Sequence, residues 1–183
     1  MYLRKYHPSD CAALAALFYE TIHTVNARDY PQEQLDAWAD GHVDLDAWNE
    51  SFLAHNTYVA VQECVDADDI DSRASDSTDT APGKTGGSPA NALIIGFGDM
   101  DDTGYLDHLF VRWDCQGRGV ATALCDALEE HCRDLGLAAV TVHASKTALP
   151  FFLHRGYRVE REQQVPVRGQ VLANYAMHKE LRR

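Results

Sequence analysis

At 183 residues, 45% hydrophobic and 24% charged, the chain has the size of one domain and enough apolar material for a real core. No stretch approaches the roughly 20 apolar residues of a membrane span, and the start "MYLRKYHPSDCAAL" has no continuous apolar core of a secretory leader, so a cytoplasmic protein without membrane partners is expected. The formal net charge of −12 argues against a nucleic-acid partner, and half of it lies between Glu63 and Asp79, where seven acids face Arg73 alone.

In chain order, Ser9 or Asp10 is placed to cap a first helix, with Leu14, Leu17, Phe18, Thr21, Ile22 and Val25 on one face. Pro31 suits the first position of a second helix, on which Leu35 and Trp38 share a face. A third short helix carries Leu45, Trp48, Phe52 and Leu53. "TYVAVQE", Thr57 to Glu63, reads as a strand through its β-branched and aromatic residues.

The next segment, residues 64–91, is acidic, rich in Ser, Thr, Gly and Pro, and almost without large apolar groups. Such a composition cannot offset its own ordering entropy, so a long flexible hairpin loop is expected. "ALIIGFGDM" resumes as the partner strand, and "GYLDHLFV" follows after a turn at "DDTG". Val120, Ala121, Leu124, Cys125, Leu128, Cys132 and Leu135 form a helical stripe that stops at Gly136. "LAAVTVHA" is a buried strand, and a short helix covers Thr147 to His154. "YRVEREQQVPV" and "VLANYAMHKEL" make a closing hairpin that turns at Arg168-Gly169. The element order predicts an α/β fold with a mixed sheet.

Five cysteines, Cys11, Cys64, Cys115, Cys125 and Cys132, are odd in number and contain no C-x-x-C. Reduced, mostly buried thiols are expected rather than a disulfide frame or zinc ribbon. The histidines show no metal-ligand spacing, so no metal is expected.

Two phosphate-binding motifs fail on spacing. "PGKTGG" resembles a P-loop, but the required first glycine is Thr78, and no strand leads in and no helix follows. Gly117 and Gly119 supply G-x-G, but a dinucleotide fingerprint needs a third small residue where Thr122 stands. A third pattern fits throughout. After strand "YLDHLFV", the run "QGRGVA" opens a helix, and Gln116, Gly119 and Ala121 match Q/R-x-x-G-x-G/A. Unpaired N–H groups at a helix N-terminus favour an anion, and glycine lets the backbone come close to it. Arg118 can add a charge-assisted contact or remain solvated.

On these residues the chain resembles the GNAT superfamily of acyl-CoA N-acyltransferases. "ASKTALPFFLHRGYRV" is similar to the family's A-x-x-F-Y-x-x-x-G-F block. "VNARDYPQEQLDAWAD", "GYLDHLFV" and "NYAMHKEL" resemble the YafP-like branch of bacterial GNATs. The resemblance implies a mostly antiparallel central sheet flanked by helices, and an acetyl-CoA-dependent N-acetyltransferase that acts on an amine without a covalent enzyme intermediate. It places the coenzyme A pyrophosphate on Gln116, Gly117, Arg118, Gly119, Val120, Ala121 and Thr122. The pantetheine arm and acetyl carbonyl fall on the backbone of Leu109, Phe110 and Val111, with Ser145, Phe151 and Phe152 beside the arm. That in turn requires "LFV" to splay from "VTVHA".

Further roles are implied in the same way. The general base lies at Asp107, with His108 beside it; strict alternation sends the two to opposite faces, so only one meets the acceptor. His23, Asn26, Tyr30, Trp38 and His108 border the acceptor. Phe152 stands where the family has a tyrosine that protonates the departing thiolate, which leaves Tyr175 or Ser145, or water, to do so; a phenol makes Tyr175 the preferred donor. A non-catalytic acyl-CoA-binding regulator and an acyl-CoA hydrolase remain as alternatives, and the oligomeric state, homodimer included, stays open.

Overall fold

The computed structural model describes residues 1–63 and 92–181. Seven strands form one sheet in the order β1-β2-β3-β4-β5-β7-β6. In chain order the elements are β1 (Tyr2–Lys5), α1 (Cys11–Thr24), α2 (Gln32–Trp38), α3 (Leu45–Ala54), β2 (Asn56–Glu63), β3 (Ala92–Met100), β4 (Tyr105–Val111), α4 (Val120–Asp134), β5 (Ala139–Ser145), α5 (Leu149–His154), β6 (Arg158–Val167) and β7 (Gln170–Glu180). The sheet is antiparallel except where β4 and β5, joined through α4, run parallel. No helix among the described residues is long and apolar enough to cross a membrane.

Two layers of core cover the sheet. On one face α1, α2 and α3 bury Leu14, Ile22, Leu35 and Phe52 against Val59, Phe97 and Leu172. On the other, α4 and α5 bury Leu128, Cys132 and Phe152 against Val140, Val142 and Met177. Gly96 explains how closely α4 approaches β3: a Cβ there would stand 2.9 Å from Val120 Cγ1 and 3.0 Å from the Phe110 carbonyl.

Several expectations change in detail. Tyr2–Lys5 is too short to show alternation and is not expected as a strand; it forms one by pairing with β2. Asp10 does flank α1, but its carboxylate makes no cap hydrogen bond to that helix and is taken instead by Arg4 and the His7 N–H. Pro31 is the N-cap of α2 in an extended conformation, and Gln32 is the first helical residue. Leu45 and Leu53 are exposed, so only Trp48 and Phe52 of α3 face the core. Leu135 lies just past α4 and is exposed. The expected loop at 64–91 lies outside the described residues, although Glu63 and Ala92, on either side of it, are paired across the β2–β3 hairpin.

Candidate active site

The parallel pairing of β4 with β5 covers only Tyr105↔Thr141 and Leu106↔Val142. Beyond it β4 stays on β3 as far as Val111, and β5 stays on β7 as far as Ser145. The two strands diverge, and the β5-facing backbone of 107–111 has no strand partner among the described residues. The divergence starts at a β-bulge. Asp99 pairs with His108 and Met100 with Leu106, which leaves Asp107 as the extra residue on β4. A bulge bends its strand and adds twist, so the bulge gives the separation a local cause.

A cleft of about 840 Å³ opens between the separated strands. Its lining runs from Gln116, Gly117, Gly119, Val120, Ala121 and Thr122 to Ser145, Phe151 and Phe152. Gly117 and Gly119 both hold positive φ, 72° and 80°, and an added Cβ at either would meet nothing within 4 Å. Gly119 is the N-cap of α4 and supplies no side chain to cap it. The first-turn N–H groups of a 15-residue helix are thus left for an outside anion. This arrangement suits the pyrophosphate of an acyl-CoA: open space, backbone donors and a helix dipole.

A match to the "Acetyltransferase (GNAT) domain" spans residues 89–179. A solved GCN5-related N-acetyltransferase from Rhodopseudomonas palustris is 30% identical, with 98% of this chain and 95% of that one covered and a TM-score of 0.78. The chain belongs to the GNAT family of N-acetyltransferases. It is also 29% identical to the N-acetyltransferase YafP of Escherichia coli (strain K12), over 96% of this chain and 93% of that protein. The PaiA N-acetyltransferase of Thermoplasma acidophilum, solved with coenzyme A, shares the fold at 12% identity and a TM-score of 0.66, with 98% of each chain covered.

Within this GNAT cleft lie Asn26, Tyr30, Trp38, Asp107, His108, Leu109, Phe110 and Val111. Asp107 and His108 both line it, contrary to strict alternation, because the bulge inserts Asp107 ahead of His108. His23 is outside the lining; its ring stacks on Tyr19 and meets Asp36 at 3.3 Å. Arg118 is outside it too. Gln116 turns its amide back to donate to the Val111 carbonyl at 2.6 Å, which also accepts from Thr21 Oγ1, so its side chain secures the loop to β4.

The preferred acid, Tyr175, is not among the lining residues. Along β7, Leu172, Ala173 and Asn174 line the cleft, whereas Tyr175 packs into the α4–α5 core, beside the cluster to which Phe151 and Phe152 also belong. Ser145 Oγ accepts from the Ala148 N–H at 3.1 Å, which leaves its own proton free to be donated.

Sequence reasoning missed a polar strap among the residues that line the cleft. Tyr30 donates its hydroxyl to the Ala173 carbonyl and accepts the Lys146 N–H, both at 2.8 Å. Thr147 donates to Asp29, and Arg28 donates to the Thr147 carbonyl. The turn between α1 and α2 is thereby tied to the start of α5. Its signal in the sequence was thin, because "NARDY" and "SKT" are over a hundred positions apart.

The second omission is Asp99 on β3, fully buried. His55 Nδ1 reaches its Oδ2 at 2.6 Å, and His108 Nδ1 reaches its Oδ1 at 2.9 Å. Asp107 Oδ2 stands 3.5 Å from the same His108 nitrogen. Five aromatic rings, Phe18, Trp48, Phe52, Phe97 and Phe110, surround His108 at centroid distances of 5.3 to 6.4 Å.

Proposed function

We propose that this GNAT protein transfers an acetyl group from acetyl-CoA directly to an amine held in the cleft. The observation that carries the reading is the separation of β4 from β5 over the uncapped N-terminus of α4. Coenzyme A bound to the structurally similar PaiA supports the same donor here. The backbone of Leu109 to Val111 takes the pantetheine arm, Phe151 and Phe152 flank it, and the N–H groups from Gly117 to Thr122 hold the pyrophosphate, with Arg118 at the rim. Asn26, Tyr30, Trp38 and His108 border the acceptor.

Cys115 lines the cleft, but burial, with the hydrogen bond and charge of Asp114, pushes its thiol above the ordinary range. A protonated thiol is a poor nucleophile, which favours direct transfer over an acetyl-cysteine intermediate. The amine, once deprotonated, forms the C–N bond as the thioester C–S bond breaks. The thiolate takes its proton from Ser145, a cleft hydroxyl whose own proton is free to be donated, or from water. Proton removal from the ammonium falls to the Asp107–His108 edge of β4.

The test is single-turnover acetylation with acetyl-CoA and a panel of acceptors: phenethylamine, spermidine, an aminoglycoside, an N-terminal peptide amine and a lysine peptide. Transfer to one class is expected. Acetyl-CoA binding without transfer would favour a regulatory module, and thiol release without acceptor would favour a hydrolase.

A further inference from the structure

A carboxylate with no solvent exposure is costly unless its oxygens are fully hydrogen-bonded. Asp99 meets that requirement with two imidazoles and the His108 backbone N–H, which donates to Oδ1 at 3.2 Å. An ionised carboxylate only accepts, so both Nδ1 atoms carry protons. Neutral His108 is therefore the Nδ1–H tautomer, and its lone pair sits on Nε2. The five surrounding rings and the Asp99 contact fix its plane, and the side chain, 19% exposed, borders the cleft. Nε2 is the nitrogen left to face a ligand.

Resting on the transferase reading above, we propose that His108 Nε2 takes the proton from the acceptor ammonium, with Asp99 and His55 as positioning residues that hold the ring and its tautomer. One ammonium proton passes to Nε2. The neutral amine attacks the thioester carbonyl, the C–S bond breaks, and the second nitrogen proton ends on the coenzyme A sulfur. His108 then returns its proton to solvent, so each turnover yields the amide, the free thiol and one proton. The exposed Asp107 carboxylate beside the ring attracts the cationic acceptor and stabilises the imidazolium.

An imidazole, with an ordinary pKa of about 6.5, suits this transfer near neutrality. Burial alone would push His108 down, but the hydrogen bond to Asp99 and the charges of Asp99 and Asp107 outweigh it and hold the ring above its ordinary value. The charged or titratable groups around the ring are Asp99 from β3, Asp107 from β4, and His55 behind Asp99 with Asp101 near it. The helices α1 and α3 present the rings of Phe18, Trp48 and Phe52 to it.

The full chain is tested in two ways. Imidazole ¹⁵N NMR should show neutral His108 protonated on Nδ1, with a titration midpoint above 6.5 that falls in Asp99→Asn, where the anion is lost. With acetyl-CoA and the panel amine turned over fastest, His108→Gln should lower kcat at least about 10²-fold while acetyl-CoA still raises the melting temperature as in the wild type. The acid limb of kcat/KM should move down in Asp99→Asn. If that variant does not fold, His55→Leu removes one donor from Asp99, strengthens its hold on His108 and should move the limb up. Near-normal kcat in a folded His108→Gln overturns the proposal, as does a neutral ring protonated on Nε2 or an acid limb unmoved by the positioning variants. No transfer by the wild-type chain to any amine would instead overturn the transferase reading itself.

Discussion

Gly119 combines a φ of 80° with open space on the side where a Cβ would project, so the backbone calls for glycine and the space would admit the proposed anion. Acetyl-CoA should raise the melting temperature of the wild-type chain in a concentration-dependent way. Gly119→Asp adds a carboxylate where the proposed reading puts the pyrophosphate, and should abolish that rise while leaving a cooperative unfolding transition. Retention of wild-type affinity would remove the pyrophosphate from this loop. The thiolate donor is decided one hydroxyl at a time. Ser145→Ala should slow turnover about 10²-fold, the lower range of acid–base groups, whereas Tyr175→Phe, at a position not among the residues lining the cleft, should stay within a few-fold. A reversed pattern would restore the phenol as the acid. His108 also makes a statement about stability. Its raised pKa means a contribution fully present below about 6.5, the unfolded value, and lost as pH rises through the higher folded value. Denaturant midpoints should therefore decline above neutrality in the wild type, and this decline should flatten in His108→Gln.

At the scale of elements, the strap and the helix α4 are held by polar groups that hydrophobic periodicity does not reveal. Tyr30 is almost wholly buried and its hydroxyl satisfies two backbone groups from β7 and the β5–α5 link. Tyr30→Phe strands both, and should lower unfolding free energy by about 1–3 kcal/mol in urea melts, with acceptor KM rising because the strap loosens. On α4, Glu129 faces inward among Leu128 and Cys132. It accepts from Tyr157 Oη at 3.1 Å, Arg155 at 3.0 Å and Lys179 at 2.7 Å. Removing it leaves buried cationic groups without their anion, so Glu129→Ala should cost about 3–5 kcal/mol. A loss below 1 kcal/mol would mean that water or Asp126, which also meets Arg155, takes over the compensation.

For the whole molecule, Glu63 opposite Ala92 sets where the β2–β3 hairpin can be closed. Loop-closure entropy grows only logarithmically with length, and both strands are already in register at that point. Replacing Asp66 to Pro89 by a short Gly-Ser turn should keep the melting temperature within a few degrees and preserve stabilisation by acetyl-CoA. Loss of cooperative unfolding would show that the replaced segment contributes to the body of the protein.

The order of elements from α1 onward and the helix opened by "QGRGVA" are legible in the amino-acid sequence, and with them the resemblance to the GNAT family. Those features are local: apolar residues repeat at the period of the element that buries them, and a glycine-rich turn needs no distant partner to be recognised. β1 escaped because four residues show too little alternation, and Leu45 and Leu53 misled because a helix of ten residues has apolar positions on more than its core face. The candidate site was legible where it is backbone and loop, and illegible where it is a meeting of strands. One inserted residue, Asp107, changes which side chains share the cleft, and no pattern within "YLDHLFV" announces it, since a bulge exists only relative to the partner strand. In the same way Asp99 reads as an ordinary acid at the end of an apolar strand. Its burial between His55 and His108 depends on the pairing of β3 with β4 and on the turn leading out of α3. That arrangement exists only in the folded chain, because the cost of burying a carboxylate is met by groups 44 and 9 positions away.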